Sequence, residues 1–314
     1  MESSPSFLRT YGFVAGREAW LGWILLGIAA VVVLLVSALV LAGALRRGRP
    51  EAGGVERERE GLRWIMIGGI VVPSLVLVVV LVLAVTTQAA IATPAGANLT
   101  VRVTGHQWWW EIRYLDRSPS LIATTANEIH IPVGRPVRLE VVSGDVIHSF
   151  WIPELAGKTD LIPGQENVMW LEADRPGVYH GQCAEYCGLQ HAKMAMEVVA
   201  EPADAFARWL ERQRAPAAAP AGTDAAAGAQ VFATTACALC HTVRGTMAGG
   251  RLGPDLTHVA GRRTIAAGTV ANTRGNLLGW IENPQAFKPG TLMPAVPLDG
   301  RELDDLTTYL QSLH

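Results

Sequence analysis

Two long apolar runs dominate the first third of the chain. Neither the run from Ala19 to Leu45 nor the run from Trp64 to Ala92 contains a charged residue, and Pro73 interrupts the second. A helix of about 20 apolar residues crosses a hydrocarbon core about 30 Å thick, so each run predicts a membrane-spanning helix. A cleaved signal peptide, whose apolar stretch is about 7 to 15 residues, and a buried core helix are the alternatives for such runs.

The distribution of arginine predicts the orientation of this two-helix hairpin. The segment between the apolar runs is rich in arginine, whereas the N-terminal tail has Arg9 and Arg17. Positively charged connections stay on the cytoplasmic side of a membrane. Both termini are therefore expected on the periplasmic or external side of a bacterial inner membrane. The arginines of the connection are Arg46, Arg47, Arg49, Arg57, Arg59 and Arg63.

From Leu99 to Val199 the hydrophobic pattern changes to short alternating stretches. Gly, Pro and Asp separate these stretches. The eight stretches are "LTVRVTG", "WWWEIRY", "EIHIPVG", "PVRLEVVS", "VIHSFWI", "ENVMWLE", "GVYHGQC" and "MAMEVVA". Brief strands at this spacing indicate an antiparallel sandwich or barrel. A helix is then predicted for "ADAFARWLERQ", and the Ala/Pro-rich stretch "QRAPAAAPAGTDAAAG" is typical of a semi-extended linker.

The patterns divide the 314 residues into four parts. We expect an N-terminal tail and transmembrane hairpin in residues 1–95 and an all-β domain in residues 96–201. A short helix and linker follow in residues 202–223, and a separate domain occupies residues 224–314. In that last domain, residues 277–283 and 301–313 have apolar positions at helical spacing, which predicts an all-α fold.

The segment "GQCAEYCGLQHAKMAME", residues 181–197, concentrates soft metal ligands. Cys183, Cys187, His191 and Met194 can converge if the backbone forms a loop. Thiolate, imidazole and thioether groups together favour copper over hard cations. A mononuclear blue-copper site needs one cysteine, two histidines and a weak methionine, and His148 in "DVIHSFW" can supply the second histidine. One cysteine is then surplus.

The surplus cysteine favours a site with two copper ions. Two thiolates can bridge two metals, and an added electron shared by both would change each metal's bonds little. Such a pair needs two histidines, His148 and His191, and two weak axial groups. Met194 can be one axial group, and a backbone carbonyl of the cysteine loop, with Glu185 as the candidate, the other. A disulfide between the two cysteines and a zinc site are the alternatives.

The last domain carries "CALCH", residues 237–241. A Cys-x-x-Cys-His run is typical of covalent haem c attachment through Cys237 and Cys240, with His241 as the proximal iron ligand. A thioredoxin-like motif is the alternative, but no βαβ pattern surrounds the run. For the distal ligand, Met293 in "PGTLMPAVP" is favoured over Met247, which follows the proximal histidine too closely to reach the other haem face.

Three segments carry a resemblance to a known family. "GHQWWWEIRY", "DVIHSFWIPELAGKTDLIPGQEN" and "PGVYHGQCAEYCGLQHAKM" resemble subunit II of haem-copper cytochrome c oxidases, over roughly residues 19–201. The last domain resembles a class I cytochrome c, with "GPDL" matching the loop on the proximal side of the haem. The resemblance implies a multi-domain chain with a two-helix transmembrane hairpin, a cupredoxin-like Greek-key barrel carrying the dinuclear CuA centre, and an all-α class I cytochrome c domain.

The resemblance also implies roles for individual residues. Trp108 matches the tryptophan through which electrons enter, and the Glu185 carboxylate matches a magnesium ligand at the interface with subunit I. The copper ligands it implies are the side chains of His148, Cys183, Cys187, His191 and Met194, together with the carbonyl of Glu185.

Two departures from the family limit this transfer of roles. Gln165 stands where the family often has an arginine. Gly61 stands where many members have a glutamate that helps admit protons, and Glu60 is offset by one position. Proton entry is therefore left unassigned.

The implied function is that of the electron-entry subunit of a terminal respiratory oxidase. The fused haem c would pass electrons to CuA and then to haem in subunit I, where oxygen is reduced to water with proton pumping. Expected partners are oxidase subunits I and III, the lipid bilayer, and an external donor such as cytochrome c or a quinol–cytochrome c reductase, with no nucleic acid. A flexible linker would keep the haem domain near CuA at about millimolar local concentration. The alternative function is a membrane-anchored haem c and copper carrier that serves another acceptor.

Overall fold

The computed structural model describes residues 6, 8–45, 55–92 and 98–314. The chain divides into two compact units, one of residues Gly16–Thr93 and the other of Met1–Ala15 with Pro94–His314. The membrane orientation of the hairpin was predicted from six arginines. Three of them lie outside the described residues, as does the side chain of a fourth. These are Arg46, Arg47 and Arg49, and then Arg57.

The first unit contains the two predicted apolar helices. Helix α1 (Phe13–Leu45) has 33 residues with a mean hydropathy of 3.2 over its most apolar window, and the second helix, Arg59–Ala92, has 34 with a value of 2.9. Helix α1 begins earlier than its uncharged run, because the residues before Ala19 continue the same helix. No residue in the most apolar window of either helix is buried, which favours membrane-spanning helices over core helices of a soluble domain.

A wide turn interrupts the second helix just before its proline. Helix α2 (Val55–Met66) and helix α3 (Val72–Ala92) are joined by a π-helical turn at Ile67–Val71. The backbone N–H of Val72 bonds to the carbonyl of Ile67, five residues back. Pro73 has no N–H and crowds the preceding turn. The extra residue in the turn therefore lets the helix continue through the proline, as π-bulges commonly do.

Ten strands build the β domain of the second unit. Eight correspond to predicted stretches, whereas β3 and β7 were not predicted because they are short and largely polar. The strands are β1 (Leu99–His106), β2 (Trp109–Tyr114), β3 (Ala123–Ala126), β4 (Glu128–Pro132), β5 (Val137–Ser143), β6 (His148–Phe150), β7 (Thr159–Leu161), β8 (Asn167–Leu171), β9 (Gly177–Gln182) and β10 (Ala195–Glu201).

The strands form two main sheets whose pairing is mixed, not purely antiparallel as the strand spacing predicted. One sheet has the order β3-β2-β1-β5-β8 and the other β4-β10-β9, while β6 and β7 pair separately. Strands β1 and β5 pair in parallel, as do β4 and β10. Each parallel pair needs a long connection between its strands. This crossing topology brings β6 and the loop after β9 to the same end of the domain, where the predicted copper ligands lie.

Alternate residues of the strands fill the core between the sheets. Val101 and Val103 of β1 and Ile112 of β2 are fully buried, and Leu139 of β5 packs with them. Trp110 is also fully buried and presents its ring edge-on to Phe150, with ring centroids 5.8 Å apart. The period-two pattern of the sequence thus sets which face of each strand is apolar.

Helix α4 (Ala203–Arg214) covers one side of the β domain, as its sequence predicted. Trp209 stacks on His130 of β4 at 4.0 Å between ring centroids and meets Tyr114 edge-on at 5.2 Å. His130 is held between the carboxylates of Glu128 and Glu201 at 2.7 and 3.1 Å. These contacts give His130 a structural role in the β domain.

The last domain is mainly helical. It contains α5 (Thr223–Thr234), α6 (Cys237–Cys240), α7 (Arg274–Glu282), α8 (Pro284–Phe287) and α9 (Gly300–Ser312), with a small hairpin of β11 (Thr264–Ile265) and β12 (Val270–Ala271). Helix α9 begins at a capping box in which Asp299 accepts from the N–H of Glu302, and the Glu302 carboxylate accepts from the N–H of Asp299. Helices α5 and α9 pack closely at Gly228, where an added Cβ would lie 2.0 Å from the carbonyl oxygen of Asp305.

The Ala/Pro-rich segment is anchored to the helical domain, in contrast to the predicted free linker. Arg244 donates to the carbonyls of Gln213 and Arg214, the latter at 3.1 Å. The N–H of Ala217 bonds to the carbonyl of Arg244 at 2.9 Å. The sequence pattern could not show this, because the anchoring residues lie in a different part of the chain.

Candidate copper and haem sites

The residues of the predicted copper site meet at one end of the β domain. His148 opens β6, and the two cysteines lie in the loop that follows β9. A single helical turn at His191–Lys193 leads into Met194 and β10. The N–H of Cys183 bonds to the carbonyl of Met194 at 2.9 Å, which closes the loop. We refer to residues 183–194 as the copper loop.

Contacts among the soft donors are short. The Sγ atoms of the two cysteines are 3.8 Å apart, and Nδ1 of His148 lies 3.9 Å from Sγ of Cys183. Sγ of Cys187 is 3.6 Å from Nδ1 of His191 and 3.8 Å from Sδ of Met194. Apart from His191, these side chains are almost fully buried. The structure therefore brings together all five side chains that the sequence predicted as copper ligands.

The two cysteines of the copper loop are free thiols, so the disulfide alternative is not what this structure contains. The Cys187 thiol and, more weakly, the His148 imidazole hydrogen-bond to Sγ of Cys183 and lower the pKa of Cys183. The same contact, together with burial, raises the pKa of Cys187. Cys183 is thus the first of the pair to become the thiolate that a soft metal needs.

A carboxylate orients the histidine of β6. Nε2 of His148 lies 2.7 Å from Oδ1 of Asp145, which leaves Nδ1 facing Cys183. Burial alone would lower the pKa of His148, but its hydrogen bonds to Cys183 and Asp145 outweigh burial and raise it. Asp145 also accepts from the N–H of Gln107 at 2.7 Å. Such a partner fixes the ring orientation of a metal-binding histidine. Sequence reasoning missed Asp145, although it lies three residues before the histidine.

Trp108 is buried directly beside the copper loop. Its indole Nε1 donates to the carbonyl of Cys187 at 2.9 Å, and Nε2 of Gln107 donates to the same oxygen at 2.8 Å. Gly188 makes this approach possible, because a Cβ there would lie 3.0 Å from Cζ2 of the indole and its φ is +116°. The tryptophan is therefore rigidly linked to the backbone of a predicted copper ligand.

Glu185 takes part in the copper loop through its backbone. Its carbonyl oxygen accepts from Sγ of Cys183 at 3.2 Å, and its role as a copper ligand stays a prediction. Within the described part of the chain, the one cluster with metal-ligand geometry is His148, Cys183 and Cys187. A magnesium site at the Glu185 carboxylate therefore stays a prediction.

The predicted haem ligands lie in the helical domain. Cys237 and Cys240 are free and half-buried at the two ends of α6. Nδ1 of His241 donates to the carbonyl of Pro254 at 2.8 Å, which leaves Nε2 available to an iron ion. Burial lowers the pKa of His241 and favours the neutral imidazole that a metal needs. Pro254 belongs to the "GPDL" loop of the sequence comparison.

Gly253 leaves the space that the ring of the predicted proximal ligand, His241, occupies. A Cβ at Gly253 would lie 2.5 Å from Cε1 and 2.9 Å from Nδ1 of the His241 ring. Of the two candidate distal ligands, Met247 is 99% exposed, whereas Met293 is half-buried in the segment between α8 and α9. Met293 as the distal iron ligand stays a prediction.

The donors at both sites fit the groups that the sequence implies. The copper loop offers two free thiols, two imidazoles and a thioether, a soft set that copper prefers. The thioether lies 3.8 Å from Sγ of Cys187, and a zinc site would have no use for it. The helical domain offers two free thiols next to an oriented histidine, as covalent haem c requires. These features are typical of an electron-transfer protein with a copper site and a haem c site, preceded by two helices long and apolar enough to cross a membrane.

Comparison with known proteins gives the family. Residues 119–201 match the family model described as cytochrome c oxidase subunit II, periplasmic domain, and residues 225–314 match that of cytochrome c. Cytochrome c oxidase subunit 2 of Alkalihalophilus pseudofirmus is 37% identical over 297 residues, covering 92% of this chain and 84% of the relative. The chain therefore belongs to the cytochrome c oxidase subunit II family and is a subunit of a haem-copper oxidase that works with other oxidase subunits.

Two further similarities complete the comparison. Cytochrome c oxidase subunit 2 of Bacillus sp. strain PS3 is 32% identical, with 85% of this chain and 79% of the relative covered. The solved periplasmic domain of subunit II of the cytochrome oxidase of Bradyrhizobium japonicum is 32% identical and covers 39% of this chain and 97% of that domain, with a TM-score of 0.37.

Proposed function

We propose that this chain is the electron-entry subunit of a proton-pumping respiratory oxidase and that its own haem c domain precedes its copper centre in the electron path. When bound, haem c and a pair of copper ions supply one-electron transfer from an external donor toward the haem of subunit I. The observation that carries this proposal is that the soft-donor cluster and the Cys-x-x-Cys-His segment lie in one compact unit.

The protein's own residues prepare the copper site for this role. His148, Cys183 and Met194 are fully buried, so water is kept away from the donors. Asp145 fixes the histidine before any metal arrives, and the backbone bond between Cys183 and Met194 fixes the loop. When an electron is added, the geometry of rigid ligands that are shielded from water changes little, because few groups are free to rearrange.

The remaining partners and the orientation belong to the same proposal. Both termini and the two soluble domains would lie outside a bacterial inner membrane, on the side where cytochrome c or a quinol–cytochrome c reductase delivers electrons. Oxidase subunits I and III would be its partners in the membrane. Glu185 would offer its carboxylate to magnesium at the interface with subunit I.

Purification in mild detergent distinguishes this function from that of a free electron carrier. The proposal expects a large multi-helix haem protein to accompany the chain through affinity and size-exclusion steps. It also expects oxygen consumption when an external donor is supplied. A chain that is loaded with both cofactors but always purifies alone would instead support the carrier that serves another acceptor.

A further inference from the structure

The helical domain lies directly on the copper loop. Residues 287–290, which we call the docking segment, begin at the last residue of α8 and come shortly before Met293. Lys193 of the copper loop donates to the carbonyl of Phe287, and Gln190 of the copper loop donates to the carbonyl of Pro289. The close approach is made possible by Gly290, whose φ is +90° and whose Cβ would lie 3.0 Å from Cδ1 of Leu189.

One side chain of the docking segment reaches across the interface to the tryptophan of the copper site. Nζ of Lys288 donates to the backbone carbonyl of Trp108 at 3.0 Å. The indole of Trp108 donates in turn to the carbonyl of Cys187 at 2.9 Å. Two consecutive hydrogen bonds therefore connect the helical domain to the backbone of a predicted copper ligand.

Lys288 is an unusual residue for such a place. It is 3% exposed, and within the described residues no carboxylate lies at salt-bridge distance from it. Burial and, to a lesser degree, the charge of Lys193 lower the pKa of Lys288 to about 8. A buried ammonium without a carboxylate is unfavourable for stability. Its place against Trp108 therefore calls for an explanation other than stability.

A second contact restricts rotation of the helical domain. The N–H of Arg263 donates to Glu128 of β4 at 3.0 Å, and its Nε donates to Glu197 of β10 at 3.1 Å. Next to this pair, the N–H of Ala195 bonds to the carbonyl of Ala267 at 3.0 Å. Two contacts at separate points of the β domain hold a rigid body in one orientation better than one contact can.

We propose that residues 287–290 and Arg263 form a built-in docking surface that holds the haem c domain over the copper loop, with Lys288 as the positioning residue at Trp108. This inference rests on the proposed function, because it assigns the docking to electron entry. Lys288 acts through the backbone of Trp108, and among the described residues it makes no hydrogen bond to the side chain of a predicted copper ligand. Its role is to fix how the two domains face each other.

The test compares Lys288→Met with Lys158→Met in the full chain assembled in its oxidase. Lys158 is an exposed lysine of the β domain and provides a matched control. Amide hydrogen exchange is measured first, because it reports docking without any electron transfer. Lys288→Met leaves the carbonyl of Trp108 buried without its hydrogen-bond donor. We therefore expect the amides of the copper loop and the docking segment to exchange about tenfold faster, since an unsatisfied buried acceptor is costly. The control should exchange like the wild type.

The second measurement is the rate at which photoreduced haem c is reoxidised by copper. Misplacement of redox partners slows a reaction strongly, so we expect Lys288→Met to be slower by about tenfold or more. The absorption and paramagnetic-resonance spectra and the midpoint potentials of both centres should stay as in the wild type. A rate loss that the potentials account for would contradict positioning, and unchanged exchange with an unchanged rate would overturn the proposal.

A second variant keeps the inference testable if Lys288→Met does not take up its cofactors. The side chain of Arg263 is about half exposed, so Arg263→Met should fold normally. Arg263 is half exposed and its partner Glu197 is buried, so removing the guanidinium leaves a buried carboxylate without its cation. We therefore expect a rate about twofold to fivefold lower and faster exchange in β10. An Arg263→Met protein identical to the wild type in both measurements would then overturn the docking surface. If wild-type haem c does not reduce the copper at all, the proposed function fails instead.

Discussion

At the residue scale, the predicted metal ligands can be recognised in the sequence, whereas the residues that position these ligands cannot. The predicted copper ligands carry their own signal, because cysteine, histidine and methionine at close spacing are chemically distinctive. Asp145 and Gly253 carry no such signal, since an aspartate or a glycine in a loop is common. Their roles depend on contacts that exist in the folded chain, namely with His148 and His241.

Asp145→Asn tests the orientation of His148. The amide can still meet the imidazole but no longer offers a charged acceptor to Nε2, so the ring loses its preferred tautomer. Loss of such a partner lowers metal affinity by about 10-fold to 100-fold, and we expect a loss in that range in copper titrations followed by paramagnetic resonance. Asp204→Asn, at an exposed carboxylate of α4, is the control and should titrate normally. Equal copper affinity in both variants would show that Asp145 does not orient the ligand.

Gly253→Ala tests the space around the proximal histidine. A Cβ would collide with the His241 ring at 2.5 Å, so the ring must move away from its bond to Pro254. We expect less covalently bound haem and a weaker low-spin absorption spectrum. Gly249→Ala is the control, because a Cβ at Gly249 meets nothing within 4 Å. A normal haem content and spectrum in Gly253→Ala would contradict the placement of His241.

At the scale of elements, the sequence predicted the long and strongly patterned parts. The apolar helices follow from their long runs without charge. Eight strands of the β domain, α4 and α9 follow from their hydrophobic periods. The short strands β3 and β7 were missed, since a few polar residues carry no clear period. The parallel pairing of β1 with β5 could not be predicted either, because strand spacing describes neighbours along the chain and not partners across a sheet.

The packing of α5 on α9 gives a prediction for stability. Helix α5 is rich in small residues, and its Gly228 lets the backbone of α9 approach. Gly228→Ala should therefore destabilise the helical domain by about 2 kcal/mol, as overpacking typically does. Denaturant unfolding followed by haem absorbance would measure this difference.

Gly275→Ala in α7 is the matched control for this prediction. A Cβ there meets nothing within 4 Å, so only helix propensity changes. It should leave stability unchanged or raise it by up to about 1 kcal/mol. If both variants unfold at the same denaturant concentration, the close contact between α5 and α9 is wrong.

At the scale of the whole molecule, the sequence predicted which domains are present but not how the β domain and the helical domain pack. The Ala/Pro-rich composition predicted a loose tether, yet Arg244 holds this segment on the helical domain. The docking of the helical domain on the copper loop was also not predictable, because residues 287–290 have no distinctive pattern. An interface of this kind is encoded by surfaces that come together only in the fold.

The docking of the helical domain on the copper loop bears on how electrons would reach the copper. A tethered domain raises local concentration and still has to find its partner. A docked domain already faces Trp108, and its position is set by Lys288 and Arg263. We therefore expect intramolecular transfer to depend little on ionic strength, whereas delivery by a separate donor would respond to screening within about 10 Å at 0.1 M salt.

The central claim is that one loop with two cysteines holds two copper ions as a single redox unit, and paramagnetic resonance of the copper-loaded full chain tests it most directly. We predict the hyperfine pattern of one unpaired electron shared by two copper nuclei, and its loss in Cys187→Ser. The hyperfine pattern of a single copper nucleus in the wild type, unchanged by that substitution, would contradict the account.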